Sequence, residues 1–173
     1  VTGVQTCALP IYQQAVPILP NDTALEVFRK VTVAAEIVLN RALPQLIAGT
    51  AVLASQDLAA GSYYGGRRPD DGRIDWQWPS AKVHNLVRAV APPYPGAFCT
   101  VNGRQLRILG TFCDRPRGPA SPASPAMLLE HGQLRLRCAD GGTLLVTAAE
   151  LDSQPLTPEN FALHAGSDTL LLT

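Results

Sequence analysis

Phe98-Cys99-Thr100-Val101-Asn102-Gly103-Arg104-Gln105-Leu106-Arg107-Ile108-Leu109-Gly110-Thr111-Phe112 decides the fold of this chain. Asn102-Gly103 separates two β-rich runs, and both residues tolerate the positive φ that a tight hairpin turn demands. Gln133 to Cys138 and Thr143 to Ala148 repeat the arrangement around Asp140-Gly141-Gly142. Everything from Phe98 onward reads as strands, and a small antiparallel barrel is the economical prediction because closure hides strand edges. Between the hairpins, Asp114 to Pro125 carries Pro116, Pro119, Pro122 and Pro125 among small residues, which predicts an extended surface loop.

Upstream of the strands the period changes to that of helices. Ser80 is a candidate cap for a short helix that turns Val83, Leu86, Val87 and Val90 inward until Pro92 stops it. Pro92 to Gly96 then turns the chain into its first strand. Farther back, Thr23 and Glu26 have the spacing of a capping box. Leu25, Phe28, Thr32, Ala35, Leu39, Ala42 and Leu46 follow at steps of three and four, the mark of a long helix with one mainly apolar stripe. Gly49 ends it, and Pro44 predicts a kink or a restart near Ala42. Such a stripe needs a larger packing partner than the extended segment Tyr12 to Leu19. Residues 53–72 read as a crossing linker, with Trp76 and Trp78 packing it against the barrel.

Composition bounds the function. The chain has 173 residues, 46% apolar and 16% charged, enough for one domain or for a small domain plus the tail of another. No apolar run approaches the roughly 18 to 20 residues that a bilayer crossing needs, so no membrane insertion is expected. Cys99, Cys113 and Cys138 form no C-x-x-C pair, so the spacing suggests neither a disulfide framework nor a metal site. From Gly61 to Thr173 there are 11 Lys and Arg against 10 Asp and Glu. A nucleic-acid-binding domain draws much of its affinity from phosphate neutralisation and should be distinctly basic, so nucleic acid is not an expected partner. Residues Val1 to Ile11, VTGVQTCALPI, coincide with the forward translation of a common short-read sequencing adapter and are read as an artefact, which removes Cys7 from the count.

Tyr63-Tyr64-Gly65-Gly66-Arg67-Arg68-Pro69-Asp70-Asp71-Gly72-Arg73-Ile74-Asp75-Trp76, with His84-Asn85-Leu86-Val87-Arg88-Ala89 and Pro92-Pro93-Tyr94-Pro95-Gly96-Ala97, resembles the interdomain junction of the 10-formyltetrahydrofolate-dependent formyltransferases. That family includes methionyl-tRNA formyltransferases and enzymes that formylate nucleotide-linked amino sugars. The resemblance implies an α+β chain: the tail of an α/β formyltransferase domain (the long helix, residues 12–58), a linker and connecting helix (59–97), and an OB-like antiparallel barrel (98–173). It also implies that 10-formyltetrahydrofolate is the formyl donor, bound mostly by a part lying upstream of Tyr12, that the setting is cytoplasmic, and that a dehydrogenase domain can be fused or separate. The family assigns its catalysis to an Asn, a His and an Asp upstream of the counterpart of Gln14. No catalytic residue is therefore expected here, and the fragment alone is expected to be inactive.

Two features choose among substrates. The neutral barrel disfavours tRNA, and the Tyr64 to Asp71 segment is similar to that of the enzymes acting on UDP-4-amino-4-deoxy-L-arabinose in lipid A modification. The resemblance implies that Arg67 faces the nucleotide, where a planar guanidinium offers paired donors to a diphosphate. Tyr64 either stacks on the ligand or anchors the linker. Asn85 and Arg88, three apart on one helical face, are read as structural first and as substrate contacts second. The rival readings are the C-terminal part of a methionyl-tRNA formyltransferase, an OB-like nucleic-acid-binding module, and a purely structural interaction domain. The binding module would need aromatics interleaved with basic residues, yet beyond Cys99 the chain has only Phe112 and Phe161.

Overall fold

The computed structural model describes residues 12–52, 57, 59, 61–113 and 121–172. Expectations for residues 1–11 and for most of the proline-rich loop lie outside them. The chain divides into two compact units, one of residues 1–18 and 26–66, the other of residues 19–25 and 67–173.

Most of helix α1 (Ala24–Ile47) lies in the first unit. It runs unbroken through Pro44, so no restart occurs near Ala42. A proline this close to the end forfeits little of the ladder, and Ala48 N–H still donates to the Pro44 carbonyl at 3.0 Å. Gly49 closes the helix at φ +66°, with bonds from Gly49 to Leu46 and from Thr50 to Gln45, a Schellman arrangement. Only Ala34 and Ala42 are buried along it, while Phe28, Val33 and Leu39 are more than half exposed. The apolar residues of the stripe thus remain largely uncovered among the described residues.

The second unit is built on an antiparallel sheet. Its strands are β1 (Ala97–Val101), β2 (Arg104–Phe112), β3 (Ala126–Glu130), β4 (Gln133–Arg137), β5 (Thr143–Leu151), β6 (Gln154–Pro155) and β7 (Thr169–Leu171). Their order is β1-β2-β5-β4-β3-β7, with β6 paired to β5. The hairpin at Asn102-Gly103 forms with φ +51° and +75° and pairs Val101 with Arg104. A second, at His131-Gly132, and a third, at Asp152-Ser153, also use positive φ at non-glycine residues. Strand β2 bulges at Gly110 against β5, and a Cβ there would strike the Thr147 hydroxyl.

Two expectations need correction. No ladder joins β1 to β7 among the described residues, so the sheet is open and not a closed barrel. The edge of β1 is instead covered by Arg73, which bridges to Phe98, and by Ile74, whose N–H donates to the Phe98 carbonyl at 2.8 Å. The C-terminal part is also not all strand, because α3 (Pro158–Ala165) intervenes with Pro158 in its first turn and Gly166 at φ +74° as its cap. Its Phe161 is fully buried. One core unites both ends of the sheet with the preceding segment: Trp76, Val83 and Val87 pack with Leu106, Leu136 and Phe161.

Candidate functional site

Helix α2 (Ser80–Ala89) organises the site. Val83 and Val87 are fully buried and lock one face onto the sheet. Contrary to expectation, Ser80 does not cap the helix through its own side chain; it is the first helical residue, after Pro79. The cap comes from the β4–β5 turn, where Asp140 Oδ2 accepts from the Ser80 N–H at 3.0 Å and from its Oγ at 2.9 Å. Asp140 Oδ1 accepts from the Gly142 N–H at 3.0 Å. Burial alone would raise the Asp140 carboxyl, but the bonds from Ser80 and Gly142 outweigh it and hold it below the usual carboxylate range. Gly142 must lack a side chain, since a Cβ there would collide with Ser80.

The opposite wall comes from the short 3₁₀ turn Pro69–Gly72. The Arg68 N–H donates to Asp71 Oδ2 at 2.8 Å, which ties that oxygen to its own turn. A Cβ on Gly72 would lie 3.1 Å from the Gly96 carbonyl, and Gly96, at φ +87°, has no room for one against Leu109. These two glycines let the turn approach the Tyr94-Pro95-Gly96 segment closely.

Between the walls lies a cavity of about 790 Å³. Helix α2 contributes Lys82, Asn85, Leu86 and Ala89, spaced as one helical face; Arg67 and Arg68 enter from the turn, and Trp78 and Tyr94 add aromatic surface. Lys82 Nζ lies 3.7 Å from the Trp78 ring centroid.

The segment Leu19–Leu25 closes one side, bringing Ala24 to the cavity. Three anchors hold it. His84 Nε2 lies 3.1 Å from the Pro20 carbonyl, with Nδ1 2.8 Å from Thr111 Oγ1. The Cys113 N–H donates to Asn21 Oδ1 at 3.0 Å. Arg88 Nη1 donates to the Asp22 carbonyl at 3.1 Å. His84 is buried, and that burial lowers its pKa; the Pro20 bond opposes the shift and the Arg88 charge adds to it.

The structure therefore brings Arg67 and Asn85 to one cavity. Tyr64 is 85% exposed and belongs to the other unit. Arg88 is not part of the lining; its Nε donates to Asn85 Oδ1 at 2.8 Å. Sequence reasoning missed Lys82, although its spacing of three and four from Asn85 and Leu86 carried the signal. Trp76 and Trp78 do pack against the core, as expected, and Trp78 also faces the cavity. No group of three metal-ligating side chains converges among the described residues, and no described helix is long and apolar enough to cross a membrane.

The family described as formyl transferase, C-terminal domain, matches residues 67–165, which include all of these cavity residues but Ala24. Among solved structures, a multiply substituted variant of HypX from Aquifex aeolicus is similar at a TM-score of 0.56 and 16% identity. The alignment covers 87% of this chain and 26% of that one, so the chain spans about a quarter of its length. At that identity the likeness concerns the fold alone.

Proposed function

This chain belongs to the formyl transferase C-terminal domain family, and from that premise we propose that it is the substrate-side part of an enzyme that formylates a nucleotide-linked amino sugar. The formyl donor in this reading is 10-formyltetrahydrofolate, the acceptor is of the UDP-4-amino-4-deoxy-L-arabinose type used in lipid A modification, and the setting is cytoplasmic.

Formyl transfer joins the acceptor nitrogen to the formyl carbon, breaks the bond from that carbon to the folate, and removes a proton from the amine. It needs a base and a donor to the developing oxyanion. Among the described residues no histidine lines the cavity, and both ring nitrogens of His84 are engaged elsewhere. No step through the folate is assigned to this chain; its part is to hold the nucleotide.

One observation carries the reading. Arg67, Arg68 and Lys82 surround an otherwise mainly apolar cavity and have no carboxylate partner among the described residues. The lining also holds Asp71, whose Oδ2 accepts from the Arg68 N–H. Three cations against one carboxylate among the described lining residues suit a diphosphate, which pairs most effectively with planar guanidinium donors.

In the full-length enzyme, Arg67→Ala should raise KM for the sugar nucleotide about tenfold or more, the loss of a charged hydrogen bond, and leave KM for the folate unchanged. An unaltered KM for the sugar nucleotide would remove Arg67 from the site.

A further inference from the structure

We infer that Asn85 is a specificity-determining donor that reads a ring carbonyl of the nucleotide's base, and that Arg88 is the positioning residue that makes it a donor. The inference rests on the nucleotide reading above and narrows it to a base with a carbonyl at the edge facing Asn85, as uracil has and cytosine, with an amine there, does not.

A carboxamide can present either its oxygen or its NH₂ group, and which one a ligand meets depends on what holds the other. Here the choice is made by the protein. Asn85 Oδ1 accepts from Arg88 Nε at 2.8 Å, so the Asn85 NH₂ keeps its donors, which have no acceptor among the described residues. Arg88 is itself held from a second side, through Nη1 to the Asp22 carbonyl at 3.1 Å, and is partly buried. Asn85 is on the cavity and Arg88 is not. Arg88 therefore acts on the ligand only through the amide.

The surroundings match a base bound beside a phosphate group. Along α2 the cavity face runs from the ammonium of Lys82, through the amide of Asn85 one turn later, to apolar Leu86 and Ala89. Charge at one end of this row and apolar surface at the other parallel the phosphate and the base of a nucleotide. Tyr94 supplies a half-exposed ring, Trp78 carries Lys82 over its own, and about 790 Å³ falls within the range of small-molecule sites. A donor aimed at a base edge discriminates by sign: a carbonyl gains a bond, whereas an amine sets donor against donor and leaves polar groups unpaired.

Calorimetric titration of the 173-residue chain with UDP and with CDP tests this, because the two ligands share charge, sugar and phosphates. UDP should bind about tenfold more tightly, the range expected for one gained bond against one mismatch. Asn85→Ala should bring the ratio close to one, Asn85→Asp should turn it in favour of CDP, and Arg88→Ala should shrink it. A merely structural loss would weaken both ligands and leave their ratio alone. Equal binding of UDP and CDP by the parent chain, or a ratio that survives Asn85→Ala and Asn85→Asp, would overturn the inference while leaving the anion site standing. A ratio untouched by Arg88→Ala would overturn the positioning role, and binding of neither ligand would overturn the inference together with the nucleotide reading.

Discussion

Asp140 and Ser80, 60 residues apart in sequence, cap helix α2 jointly: one carboxylate oxygen takes both the backbone N–H and the hydroxyl of Ser80, at 3.0 and 2.9 Å. The turn between β4 and β5 thereby fixes the end of the helix that carries Lys82 and Asn85 into the cavity. Ser80 N–H would otherwise be among the unsatisfied donors of a helix start. Replacing Asp140 with Ala should cost about 1 to 2 kcal/mol, the usual loss of a cap, measured by denaturant unfolding. The carboxyl is held below its ordinary pKa in the folded chain, so its contribution is present above the unfolded value and disappears as pH falls through the folded one. The gap between parent and variant should therefore close in acid; a gap independent of pH would contradict the carboxylate cap.

His84 also favours the folded chain less in acid, here as a base that burial holds neutral. Burial keeps its folded pKa below the unfolded value near 6.5, so the unfolded chain takes up the proton first. Stability attributable to His84 is complete above that unfolded value and declines as pH falls through it toward the folded pKa. Unfolding followed from pH 7.5 to 5 should show this decline in the parent and a shallower slope in His84→Gln. Equal slopes would mean that the imidazole is not held neutral.

Burial should also sort the thiols. Cys138 is fully buried and its pKa is pushed up to about 12, first by burial and then by the charge of Asp140, and the pKa of buried Cys99 is raised for the same first reason. A thiolate is the reacting species, so an alkylating reagent at pH 8 should modify Cys113 well before Cys99 or Cys138 in the folded chain, as read by peptide mass mapping. Early labelling of Cys138 would contradict the packing of β4 against the core.

Local chemistry made much of this fold legible. Asn102-Gly103 announced its hairpin because the turn demands residues that accept positive φ, and Gly49 announced the end of α1 for the same reason. The hairpins at His131-Gly132 and Asp152-Ser153 place His131, Asp152 and Ser153 at φ between +51° and +65°, where side-chain identity gives little warning. Helix α3 did carry a signal, since Thr157-Pro158-Glu159-Asn160 opens it and Asn160 Oδ1 accepts from the Thr157 N–H at 2.8 Å. Its eight residues are too few for periodicity to outweigh the surrounding strands. The junction motif named Arg67 and Asn85, and both line the cavity. The contact of Arg88 with the Asp22 carbonyl was not readable, because it joins residues 66 apart in sequence. The Asp140 cap was hidden in the same way, because it joins residues 60 apart in sequence.

The most direct measurement is a ¹⁵N-correlated NMR titration of the chain with UDP. Shifts confined to Arg67, Lys82, Asn85, Ala89 and their neighbours, saturating with added ligand, are the predicted result. Shifts centred on the outer strands, or none at millimolar UDP, would contradict a nucleotide site in this cavity.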